Sequence, residues 1–294
     1  MKLITCRYGG AEQTAVVTDD GGKLVLTREL GYDFRDMNDL IRRTDPEELR
    51  RMEALAEGCP NKLPLEQVSL CAPIPHPVRD VICMGLNYKA HADEMAEALK
   101  EEKKERVYPI YFGKAVDRCP GHGEPVPSHS DFISTLDYEC ELAVILGKDA
   151  YQVPPEQVPG YIFGYCILND ITGRELSRHK QNYFMKSLDG TCPMGPWIVT
   201  ADEIPYPPRL RIQLSVNGEP RQDGNTGDMI FGISQIVSEL SRGVTLQAGT
   251  IFATGSPTGI GFGRKPPVFL KDGDVMTCTI EKLGTLENTV KDKP

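Results

Sequence analysis

The chain has 294 residues, 40% of them hydrophobic, enough for one large domain or one plus a small companion. A net charge of −9 with no dense basic run argues against non-specific nucleic-acid binding, and no apolar run approaches the length that spans a bilayer. Nine cysteines without a CxxC pair argue against a disulfide framework or thiolate zinc site and fit reduced thiols, with Cys83, Cys140 and Cys166 as small core residues.

The opening MKLITCRYGG lacks the apolar stretch and cleavage pattern of a signal peptide, so a soluble, cytoplasmic protein is expected. Residues 3–8, 14–18 and 23–26 read as short strands, with the DDGG at 19–22 as a hairpin turn. Asp45 can cap a helix that has Pro46 in its first turn and Glu48 completing a capping box. Leu49, Met52 and Leu55 follow at helical spacing, and Gly58 ends it. This module, 1–72, holds no cluster of catalytic residue types and reads as structural. The stiff APIPHP at 72–77 is the best boundary to a second domain, 73–294, and His76 within it reads as a surface residue.

Residues 81–86 form a buried-type strand, followed by NYKAHADE. If that stretch is helical, His91 and Glu94 share a face, and a carboxylate beside an imidazole builds a general base. The run after it is so charged that, on the residues alone, a solvated helix with a chance pairing is the better reading. Residues 108–114 read as a strand ending in Lys114, which on its own is as much a surface lysine as a functional one. The loop 121–131 carries His122 and His129, both assigned to the surface.

FISTLDYECELAVILGK, 132–148, reads as a strand in which Glu139 and Glu141 project from one side. Two carboxylates on one face suit a divalent cation with oxygen ligands, although on spacing alone a solvated face is the commoner outcome. A second apolar run, 161–168, ends in Asn169-Asp170 and delivers a third carboxylate. Residues 210–217, 245–254, 268–270 and 275–281 read as strands, and 228–242 as an amphipathic helix. The glycine-rich TGSPTGIG at 254–261 fits neither GxGxxG nor a Walker pattern, and reads as a backbone-lined turn at a pocket wall.

In order, DYECELAVILGK, GYCILNDITGRE, KSLDGTCPMGPWIVTADEI and TGSPTGIGFG resemble the fumarylacetoacetate hydrolase family, over roughly 73–290. The resemblance implies an α+β, β-rich fold: a mixed β-sandwich roll carrying the site, preceded by the small α/β module, usually as a homodimer. It implies Mg2+ or Mn2+ on Glu139, Glu141 and Asp170, and a water-activating His91–Glu94 pair on a lid at 88–106. It further implies a charge-stabilising Lys186, and substrate contacts from Arg174, Lys114 and the Thr254-Gly255-Ser256 turn. Gly173 and Ser177 depart from the alanine and the substrate-contacting glutamine that relatives often carry, which puts the substrate in doubt more than the chemistry.

The expected reaction is hydrolysis of a C–C bond in a short 2-oxo, 1,3-dicarbonyl acid of the acylpyruvate kind, through an enolate. The alternative is a decarboxylase, tautomerase or isomerase of oxaloacetate- or hydroxymuconate-like acids, since fold and motif do not choose among these. A metal-binding dimer without catalysis is a third reading. The joint presence of His91, Glu94, Arg174 and Lys186 counts against it, because binding alone needs only the carboxylates.

Overall fold

Two long strands buried on both faces form the centre, and their near-unbroken apolar sequence is the reason they can be. In the computed structural model, which describes residues 1–18, 21–103 and 105–292, the longer strands are, in chain order, β1 (Lys2–Tyr8), β2 (Ala11–Val17), β3 (Lys23–Leu26), β4 (Val81–Gly85), β5 (Ile110–Lys114), β6 (Cys140–Leu146) and β7 (Ile162–Asn169). They continue with β8 (Met194–Thr200), β9 (Arg211–Val216), β10 (Glu219–Asn225), β11 (Ile251–Ala253), β12 (Val275–Ile280) and β13 (Gly284–Lys291). The helices are α1 (Met37–Arg43), α2 (Pro46–Gly58), α3 (Lys89–Leu99), α4 (Tyr183–Lys186) and α5 (Ile233–Ser241).

The main sheet runs β3-β2-β1-β8-β7-β6-β11-β4-β5, antiparallel except where β11 lies parallel to β4. A second sheet, β10-β9-β12-β13, packs on one face of it. Side chains of β6 alternate between layers. Leu142, Val144 and Leu146 join Ile212, Leu214 and Met276 beneath the second sheet, while Ala143 and Ile145 face Leu40, Ile41 and Met52 of α1 and α2. The N-terminal strands continue the main sheet, because Lys2 and Leu3 pair with Val199 and Ile198.

Several expectations are corrected. Only Leu136–Asp137 and β6 are strand within 132–148, because at Tyr138-Glu139 the amides bond the side chains of Asp137 and Asn169 instead of a partner strand. Regular pairing survives only at β11 within 245–254, residue 270 makes a lone bridge, and α5 begins at Ile233 after a short turn. Helix α1, capped by Asp36, and strand β10 were not foreseen. Asp45 caps α2 by accepting from the amides of Glu47 and Glu48, but Glu48 accepts from the Tyr32 hydroxyl instead of closing a capping box. The 72–75 part of the proline-rich connector is buried, with Thr5 bonded to the Pro73 carbonyl. His129 is buried too, held by the Asp189 carbonyl. Of the turn at 19–22, Asp19 and Asp20 lie outside the described residues, as does Lys104 of the segment 88–106.

Candidate active site

Antiparallel pairing of β6 with β7 sets Cys140 opposite Asn169, so Glu139 and Asp170 leave their strand ends side by side. The Asp170 amide donates to the Glu139 carbonyl at 2.8 Å, and the Glu139 amide to Asn169 Oδ1 at 2.9 Å. One alternation further, Glu141 points the same way. Ligand oxygens from Glu139, Glu141 and Asp170, all buried, lie within 4.8 Å of one another.

Buried cations surround them. Lys186 Nζ bridges Glu139 Oε2 (2.7 Å) and Asp170 Oδ2 (2.6 Å). Arg174 reaches Glu139 Oε1 at 2.5 Å through Nη2 and Asp137 Oδ2 at 2.8 Å through Nε. Lys114, fully buried, sits 2.9 Å from Asp170 Oδ1 and donates to the Ile171 carbonyl. With Asp137, four buried carboxylates face three buried cations, one negative charge in excess.

The imbalance falls on Glu141. Burial pushes its carboxyl well above the usual range, and Asp170 and Glu139 push it the same way. Burial would also raise Glu139, but Lys186 and Arg174 outweigh it and hold that carboxyl below its usual value. Asp170 Oδ1 stays buried with no hydrogen-bond donor, since Lys114 approaches it off line. An acceptor with no hydrogen-bond donor, a carboxyl in no ion pair and a third carboxylate, converging, are a donor set that could hold one hard divalent cation.

His91 is the buried residue of α3, and its Nδ1 lies 3.1 Å from Glu94 Oε2. Glu94 Oε1 accepts the Gly259 amide, so the glycine-rich turn fixes the carboxylate that orients the imidazole. Glycine is required there: at Gly259 (φ +110) and Gly261 an added Cβ would stand 2.0 Å from the carbonyl oxygens of Arg221 and Val268. The Gly255 amide donates to Glu141 Oε2 at 2.7 Å.

These groups open on a cavity of about 310 Å³ whose lining includes His91, Glu139, Glu141, Arg174, Lys186 and Ser256. Lys114, Asp170, Thr254, Gly255 and Glu94 stand behind its wall. Among the described residues, two further clefts of about 370 and 360 Å³ and an open one of about 580 Å³ beside Glu94 bring together no such cluster.

Asp137 was missed. It is fully buried and accepts the amides of Gly261 (2.7 Å) and Phe262 (3.0 Å) as well as Arg174. Its spacing from Glu139 and Glu141 is the signal that could have found it. Asn87 and Gln222, which tie the turn to neighbouring backbone, carried no signal of that kind.

Residues 80–291 match the profile of the fumarylacetoacetate (FAA) hydrolase C-terminal family. The chain belongs to that family. A relative, oxaloacetate tautomerase YisK of Bacillus subtilis (strain 168), is 47% identical over 227 residues, 77% of this chain and 74% of its own. The fumarylacetoacetate hydrolase from psychrophilic Exiguobacterium antarcticum superposes with a TM-score of 0.82 at 36% identity, over 100% of both chains. Maleylpyruvate hydrolase from Sphingobium sp. SYK-6, solved with manganese(II) and pyruvate, does so with a TM-score of 0.78 at 32% identity, again over 100% of both. The family fold is α+β and sheet-rich, as its sequence motifs imply. Among the described residues no helix is long and apolar enough to cross a membrane.

Proposed function

We propose that this family member is a metal-assisted tautomerase that interconverts the enol and keto forms of a short 2-oxo acid. The observation that carries the reading is His91, backed by Glu94, in one cavity with Glu139, Glu141 and Lys186. A single imidazole beside a carboxylate-and-lysine cluster is what proton transfer between a carbon and an enol oxygen needs. The 47% identity to an oxaloacetate tautomerase supports this over the hydrolysis expected from the motifs.

A divalent cation on Glu139, Glu141 and Asp170, Mg2+ or Mn2+, would act as a Lewis acid toward the 2-oxo group. Glu94 holds His91 Nδ1, which leaves Nε2 to move the proton at the carbon next to the carbonyl. Lys186, kept charged by Asp170 and Glu139 despite its burial, sets a fixed positive charge where enolate charge grows. Arg174 has Nε and Nη2 committed to Asp137 and Glu139, so it first orients Glu139. Thr254 and Lys114 brace the wall: the threonine hydroxyl donates to the Leu142 carbonyl, the lysine stands behind Asp170.

Hydrolysis of an acylpyruvate is the second reading, favoured by the likeness to maleylpyruvate hydrolase, with His91 activating water instead. We further propose that residues 1–72 are a structural module and that the working form is a cytoplasmic homodimer, which sedimentation would test. Stopped-flow loss of the oxaloacetate enol decides between reactions. The tautomerase reading expects acceleration over magnesium buffer alone with the carbon skeleton intact by NMR. Carbon–carbon cleavage of acylpyruvates without enol acceleration would overturn it.

A further inference from the structure

Glu94 is held in place without a lysine or arginine. Among the described residues its one ion-pair partner is His91, and its Oε1 accepts the Gly259 amide at 2.9 Å. It does not line the cavity that His91 lines, but the open cleft beside it, together with Thr258, Gly263 and Lys265. Lys265 is taken up by Glu97. What remains to fix the carboxylate is backbone. A Cβ added at Gly263 would stand 2.5 Å from Glu94 Cγ, 2.6 Å from Cδ and 2.7 Å from Oε1, and these are its three nearest neighbours. Glu94 therefore lies against Gly263 on the side where any other residue carries its side chain. Gly263 has no positive φ, so the conformation of the turn does not demand glycine there, and the contact with Glu94 does.

Resting on the acid–base role given to His91 above, we propose that Gly263 is a positioning residue for the His91–Glu94 pair. Gly259 and Gly263 clasp the carboxylate between them. The first bonds Oε1 through its amide, and the second leaves room for the chain, so that Oε2 meets His91 Nδ1 at 3.1 Å. A methyl group at 263 has to push the carboxylate away by about 1 Å, enough to break one of its two hydrogen bonds. A flexible side chain yields at little cost to folding, so the loss falls on the pair and not on the fold.

Gly263→Ala in the magnesium-loaded enzyme tests this. Enol conversion should slow about 10²-fold in kcat, the penalty of a 1 Å misplacement, with KM and the unfolding midpoint little changed. Nitrogen-15 NMR should show the proton of neutral His91 on Nδ1 in the parent and shifting toward Nε2 in the variant. In a Glu94→Ala background the same substitution should have no further effect, since nothing is left to displace. Parent kcat with a parent His91 spectrum, or an equal loss in both backgrounds, overturns the proposal. Conversion at the parent rate by His91→Ala ends the acid–base reading instead, and the His91 spectrum of Gly263→Ala still judges the clasp.

Discussion

Asp137 touches no part of the cavity, yet it joins the acidic cluster to the loop that walls it. Replacing it with asparagine keeps the shape but leaves the Arg174 guanidinium buried beside a neutral group that also presents donors. Removal of one partner of a buried charge pair costs about 3–5 kcal/mol. Asp137→Asn should therefore lose about 3 kcal/mol in denaturant unfolding and raise KM more than it lowers kcat, while Asp137→Glu recovers part of the KM. Unchanged stability would show that Arg174 needs no such anchor. At the proposed ligand set, Glu141→Ala should abolish magnesium and manganese binding by calorimetry, because the remaining carboxylates cannot satisfy a hard cation. His91→Ala should leave metal affinity unchanged and slow enol conversion about 10²–10⁴-fold, the usual range for a lost general base. Conversion at the parent rate would remove His91 from the mechanism.

At the scale of elements, α3 is held firmly at one end only. Asn87 just before it bonds the carbonyls of Thr254 and Phe231, and His91 and Glu94 tie down its first turns. Its second half has no buried residue and rests on an ion pair between Glu97 and Lys265 at the surface. So little burial cannot offset the entropy of ordering a charged segment, whereas β6, buried throughout, should exchange only on global opening. Hydrogen exchange should find 95–99 unprotected in the magnesium-loaded protein and protected when oxalate is added. Equal, strong protection in both states would make α3 a fixed wall and end its expected role as a lid.

For the whole molecule, the N-terminal strands are bound to the catalytic core by more than the β1–β8 pairing. Arg118 holds Glu124 through two bonds of 2.8 and 2.9 Å and lies 3.5 Å from Glu12 on β2, while Glu124 also takes the Gly121 amide. Burial would raise the Glu124 carboxyl, but Arg118 and that amide together hold it below the ordinary range. A carboxyl whose pKa is depressed in the native state stabilises fully above its unfolded value of about 4.3, and the contribution is lost as pH falls through the lower native value. Glu124→Gln should cost about 2 kcal/mol at neutral pH, with the gap in unfolding midpoint closing below about pH 4. A gap independent of pH would assign the loss to shape and not to charge.

Sequence alone determined the local periodicities: Glu139 and Glu141 two apart and turned the same way, Asp170 after an apolar run, His91 and Glu94 three apart on a helix, and glycines where the chain must turn tightly. Each depends on neighbours within a few residues, where backbone geometry dictates which side chains share a face. Tertiary structure decided the rest. Nothing local distinguishes Lys114 from a surface lysine until pairing of β5 with β4 buries it behind Asp170. The same holds for His129, for Asp137 as the anchor of Arg174, and for the second sheet partner of β1, which lies almost 200 residues away. Those contacts depend on which distant strands pair and what then packs over them, a choice made by burial of the whole chain and not by any one stretch of it.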